Sequence, residues 1–115
     1  MAPKETVLGP FEEIPDQEGK EYEIEHDGET VEVFVVRQEE KFYGYVNYCP
    51  HAGTPLNWSG DRFMTFDKKY ILCATHGAEF RIEDGHCIAG PCTGDWLAPL
   101  DLRLEDGNLV LTHPE

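Results

Sequence analysis

Short stretches rich in Val, Ile, Phe and Tyr recur along the chain at 21–26, 30–37, 41–48, 62–66, 70–73, 79–83 and 108–112. Their length and β-branched or aromatic content predict strands, and no helix longer than two turns is evident. Asp27-Gly28, Asp84-Gly85 and Asp106-Gly107 stand at the ends of such stretches, and these dipeptides accept the positive φ angles of tight hairpin turns. Pro50, Pro55, Pro91 and Pro99 lack an amide donor and punctuate the places where strands give way to loops. The expected fold is therefore all-β, an antiparallel sandwich or barrel.

Length and composition narrow the picture. A chain of 115 residues corresponds to a single domain, and with 40% hydrophobic and 11% aromatic residues it has the means to bury a core. Nine basic against 23 acidic residues give a formal charge of −14, which repels phosphate backbones and anionic lipid headgroups. Nucleic-acid and membrane partners are thus not expected. The start of the chain has no apolar run of signal-peptide type, and nowhere do about 18 apolar residues follow one another, so a cytoplasmic location is the expectation. The acidity is uneven: residues 1–48 hold 4 basic and 13 acidic side chains, whereas 49–92 hold 4 and 5. The nearly neutral stretch also contains Cys49, Cys73, Cys87 and Cys92. In a reducing compartment such cysteines point to metal ligation or free thiols rather than a disulfide framework.

Cys49 and His51 lie two positions apart, and Cys73 and His76 three apart. In extended chain, side chains at i and i+2 point to one side, and the second spacing suits a sharp turn that Gly77 is free to end. Each loop thus offers one sulfur and one nitrogen. Two thiolates and two imidazoles suit a tetrahedral zinc, or a [2Fe–2S] cluster in which histidines replace both cysteines on one iron. Structural zinc sites usually pair Cys-x-x-Cys on one element with histidines on a helix, so the mixed loops favour the cluster.

Cys49-Pro50-His51 followed by Cys73-Ala74-Thr75-His76-Gly77 resembles the signature of the Rieske iron–sulfur family, Cys-x-His and Cys-x-x-His. The continuation through Gly77-Ala78-Glu79-Phe80-Arg81-Ile82, Asp84-Gly85 and Gly90-Pro91 is similar to that of Rieske ferredoxins, in which a Gly-Pro loop covers the cluster. The likeness runs from about Phe42 to Leu111. It implies a single Rieske domain over 1–115, with base strands at about 5–47 and 93–113 and an inserted two-loop cluster-binding part at about 48–92. It implies one [2Fe–2S] cluster, with Cys49 and Cys73 on the inner iron and His51 and His76 on the outer one. An apolar rim of Pro50, Ala52, Pro55, Leu56, Trp58 and Pro91 would surround the two histidines as a docking face; the alternative makes Leu56 and Trp58 core packing beneath the first loop, and Trp58 leans to that side. The 21 residues between His51 and Cys73 are a few more than in ferredoxins that serve ring-hydroxylating oxygenases.

The function so implied is one-electron transfer from a reductase to an oxygenase or similar redox enzyme, with no catalysis by the isolated chain and no small-molecule substrate. The alternatives are a redox-sensing or regulatory subunit, and the small subunit of a nitrite-reductase-like complex. Rieske proteins of respiratory complexes carry an extra cysteine in each cluster loop and Ser and Tyr hydroxyls at the cluster. Thr54, Thr75, Ala78 and Phe80 stand at those positions here, which implies a low potential and argues against quinol oxidation. Cys87 and Cys92 read as small buried side chains, with a disulfide between them as the alternative. His26, His86 and His113 read as ordinary surface histidines.

Overall fold

A computed structural model describes residues 5–48, 64–65, 67, 69–73, 77–90 and 94–112. Among these residues the fold is all-β, with a single 3-10 turn at Phe11–Glu13. The strands are β1 (Glu5–Pro10), β2 (Gly19–His26), β3 (Glu29–Gln38), β4 (Lys41–Val46), β5 (Tyr70–Leu72), β6 (Glu79–Arg81), β7 (Cys87–Ala89), β8 (Pro99–Glu105) and β9 (Asn108–Thr112). They form a six-stranded sheet in the order β1-β9-β8-β4-β3-β2 and a three-stranded sheet in the order β5-β6-β7. Every pairing of these strands is antiparallel.

Turn chemistry fixes two of the hairpins. His26 pairs with Glu29 across Asp27-Gly28, whose φ angles are 51° and 80°. Glu105 pairs with Asn108 across Asp106-Gly107, at 52° and 80°. Both positive angles belong to the primed turn whose twist matches that of the flanking strands. Asp84-Gly85 differs from expectation: only Gly85 is in the left-handed region, and it sits in a five-residue connection, 82–86, between β6 and β7. There its amide donates to the Arg81 carbonyl at 2.9 Å, making a wider turn than a two-residue hairpin.

The large sheet curls on itself. Leu8 of β1 and Tyr22 of β2, at opposite ends of the strand order, pack into the same cores with Ile24, Val33, Leu100 and Leu111, and with Ile14, Val35 and Leu109. Strand β3 is the wall of this barrel-like base. Val33 and Val35 point inward, while Phe34 and Val36 point outward into a second core, so all four successive residues are buried. Alternating faces with no polar side explain the continuous run Val-Phe-Val-Val, and each such side chain contributes roughly 1.5–3 kcal/mol by leaving water.

That second core joins the small sheet to the base. It contains Phe34, Val36 and Tyr45 from the base, and Ile71, Cys73, Phe80, Ile82 and Cys87 from the small sheet and its loops, closed by Leu97. The Tyr45 hydroxyl crosses the boundary and donates to the Ile82 carbonyl at 2.6 Å. After β7 the chain returns along the small sheet, where Cys87 donates its amide to Asp95 at 2.8 Å and Leu97 to Gly85 at 2.9 Å. It reaches the base where Val46 donates to Ala98 at 2.9 Å, next to the pairing of Tyr45 with Pro99.

Candidate metal centre

Cys73 follows β5 directly, and its side chain is fully buried. Two backbone bonds bend the chain here: the Cys73 amide donates to the Ala78 carbonyl at 2.8 Å, and the Gly77 amide donates back to the Cys73 carbonyl at 3.0 Å. Gly77 takes φ 71°, the left-handed conformation that closes a turn and that its lack of Cβ permits. Cys73 and Gly77, the described residues on either side of 74–76, are therefore pinned together. His76 itself lies outside the described residues, as do Cys49, His51, Cys92, Thr54, Thr75, Trp58 and the apolar rim of Pro50, Ala52, Pro55, Leu56 and Pro91.

The approach to the first loop is described as far as Tyr48. Asn47 is buried, its amide donates to the Glu32 carbonyl at 2.9 Å and its side chain donates to Glu21 Oε2 at 3.3 Å. Tyr48 donates to the Val46 carbonyl at 2.8 Å, which turns the chain out of β4 immediately before Cys49. The stems of both loops are thereby anchored in one core, since Tyr45 and Cys73 are members of it together.

A third segment closes on Ala78. Gly90 has φ 95°, and a Cβ placed on it would stand 2.9 Å from Ala78 Cα, so only glycine admits this backbone-to-backbone approach. Cys87 is a free, buried thiol whose Sγ donates to the Ala89 carbonyl at 3.3 Å, just before that contact. Its sulfur thus behaves as the small buried side chain expected of it. Ala78 and Phe80 are both buried and bring no hydroxyl to the core beside Cys73.

Electrostatics around the small sheet come from a few groups. Burial pushes the Tyr45 hydroxyl above the usual phenol range, with Asp84 and Glu83 adding to the effect. Arg81 bonds both oxygens of Asp84 and, with the His86 amide, holds that carboxyl below its ordinary value. His86 is not a plain surface histidine: it is half-buried and stacks on Trp96 with ring centroids 4.2 Å apart. Sequence reasoning missed this pair because Trp96 lies in no predicted strand, and it missed the Tyr45 hydroxyl because a strand tyrosine does not announce its partner.

The donor chemistry fits an iron–sulfur cluster. Cys73 offers a soft sulfur, unpaired with another cysteine and withdrawn from water, on a stem held rigid by the main chain. Comparison with known proteins gives the same result: the model of the Rieske [2Fe-2S] domain matches residues 4–108, and the chain belongs to that family. Its cofactor is one Rieske-type [2Fe–2S] cluster.

Among curated proteins, the cytochrome b6-f complex iron-sulfur subunit of Chlorobaculum tepidum is 29% identical over 113 residues, covering 94% of this chain. The match takes in 53% of that subunit, so the chain spans about half the length of the curated relative it matches. Among solved structures, the ferredoxin of carbazole 1,9a-dioxygenase from Nocardioides aromaticivorans IC177 superposes with a TM-score of 0.73 at 21% identity, over 95% of this chain and 97% of the ferredoxin. The Sphingomonas yanoikuyae B1 ferredoxin gives 0.73 at 22%, over 96% and 100%. These likenesses show the shared fold.

Proposed function

We propose that the chain is a one-electron carrier that receives electrons from a reductase and delivers them to an oxygenase or similar redox enzyme in the cytoplasm, without catalysing a reaction itself. The observation that carries the reading is that the chain is coextensive in fold with a ferredoxin of an oxygenase system, over 95% of one and 97% of the other. When bound, the cluster supplies a one-electron couple. Cys49 and Cys73 would hold the inner iron, and His51 and His76 the outer one, within the part of the chain at about 48–92. The free ring nitrogen of each histidine keeps a polar N–H that hydrogen-bonds to a docked protein or releases a proton on oxidation.

A second reading follows from the relative in the cytochrome b6-f complex, in which the domain would work beside a quinol-oxidising partner. The residues favour the first. Ala78 and Phe80 stand where the quinol-linked proteins have hydroxyls, and both are sealed from water, so no solvent molecule replaces the missing donors. Fewer hydrogen bonds to the cluster leave its reduced, more negative state less stabilised.

The test is electron paramagnetic resonance of the dithionite-reduced protein with iron, sulfide and zinc analysis, followed by a potential measured by voltammetry. Rieske centres span about −150 to +300 mV, and the carrier reading expects the low end. A value at the high end would transfer the chain to the quinol-linked group. One zinc and no signal would remove electron transfer altogether.

A further inference from the structure

The small sheet carries an aromatic patch that stands outside the buried cores of the described residues. His86, the residue before β7, and Trp96 of the returning chain form an isolated bridge, and their rings stack at 4.2 Å with 25° between planes. Trp96 is nevertheless 53% exposed. Along β7 the alternation of faces turns Cys87 inward, fully buried, and leaves Ile88 on the outside with His86, 40% exposed. The patch continues along that strand to Gly90, which abuts Ala78 at the pinned end of the Cys73 loop. The side chains are ordered before any partner arrives, because the stack and the bridge already fix them, so little side-chain freedom remains to be lost on contact.

Charge indicates what fits there. Residues 77–90 and 94–98 carry the carboxylates of Glu79, Glu83, Asp84 and Asp95 against a single cation, Arg81, which is bonded to Asp84. With −14 on the whole chain, a second copy is repelled and a basic protein attracted. We propose that the His86–Trp96 stack, with Ile88 beside it, is a docking surface for a redox partner that presents an apolar contact ringed by lysine or arginine. This rests on the carrier reading for its purpose, but not for its test.

The test uses the cluster-loaded protein and cytochrome c, a lysine-rich haem protein with an exposed apolar haem edge, as the probe. Calorimetric titration at low ionic strength measures binding alone, and stopped-flow reduction measures electron transfer separately. Trp96→Ala is expected to weaken binding roughly ten-fold, in the range of an interface hot spot. Trp96→Phe should recover most of it, and Val7→Ala, at a more exposed apolar site on β1, should leave it unchanged. The resonance signal and potential of Trp96→Ala should equal those of the wild type. The proposal is overturned if the wild type does not bind, if Trp96→Ala binds as well, or if Val7→Ala loses as much. It is also overturned if sedimentation shows a dimer that Trp96→Ala dissociates, which would make the patch a self-interface. Binding without electron transfer would instead sink the carrier reading and leave the docking surface standing.

Discussion

Replacing Tyr45 by Phe removes one oxygen atom at the boundary between base and small sheet. The hydroxyl donates to the Ile82 carbonyl at 2.6 Å, and both residues are almost completely withdrawn from water. The carbonyl left behind has no solvent to turn to, so the loss is that of a buried acceptor stripped of its donor, about 1–3 kcal/mol. For a domain of this size that lowers the unfolding midpoint by roughly 4–12 °C. Scans of cluster-loaded wild type and variant at one heating rate, followed at the cluster absorbance and by far-ultraviolet circular dichroism, read the difference.

The pH dependence of that difference provides an independent check. Burial raises the folded Tyr45 value above the unfolded one near 10, so its contribution is complete below about pH 10 and is lost as pH rises toward the folded value. Between pH 9 and 11 the advantage of wild type over Tyr45→Phe should shrink by about 1.4 kcal/mol, most of it above pH 10. Tyr22 is also raised by burial, but it is present in both proteins and cancels. A variant within about 0.5 kcal/mol of wild type at pH 7, with the same alkaline slope, would refute the seating of the small sheet by this hydroxyl.

Other expectations follow from the site. His76→Ala should lose the mixed-ligand resonance signal and release iron while the base strands keep their circular dichroism; a native signal would take His76 out of the ligand set. Ala78→Ser with Phe80→Tyr should raise the potential by roughly 50–100 mV in voltammetry, the equivalent of one or two moderate hydrogen bonds to sulfur, and an unchanged value would show that these side chains do not face the cluster. Gly90→Ala must move a backbone that stands 2.9 Å away and hold an L-residue at φ 95°, so chelator challenge should strip its iron several-fold faster than from wild type.

Much of this architecture was legible from residue types. β9 falls at 108–112 as expected, and β2, β3 and β5 lie within two residues of the predicted bounds. Three strands escaped notice for physical reasons. β8 reads Pro-Leu-Asp-Leu-Arg-Leu-Glu, a clean alternation built on leucine, which has little strand preference of its own and is held here by pairing with β9. β1 is interrupted where register shifts between Val7 and Gly9, and β7 is only three residues long. Predicted strands 41–48 and 79–83 overrun because Asn47 and Ile82 continue the apolar or polar pattern after the ladder has stopped, while the stretch 62–66 lies largely outside the described residues. The proposed ligand set was readable as a pattern for a different reason. Cys49, His51, Cys73 and His76 are close in sequence within each pair, whereas Cys73 shares its core with Tyr45 and Leu97, and Gly90 abuts Ala78, whose carbonyl accepts from the Cys73 amide, and no local pattern connects these residues.

The chain leaves the base after Val46 and returns at Ala98, and these two residues share one backbone hydrogen bond of 2.9 Å. Everything between them is an excursion whose two ends are buttoned together on neighbouring strands. Length added inside such an excursion does not strain the sheet it springs from, because the separation of its ends is already set by the ladder of β4 and β8. The long stretch between His51 and Cys73 is tolerated on the same ground. It follows that the whole excursion is exchangeable as a cassette: residues 47–97 of a relative, joined at Val46 and Ala98, should fold on this base if Phe34, Val36 and Tyr45 meet a matching apolar underside.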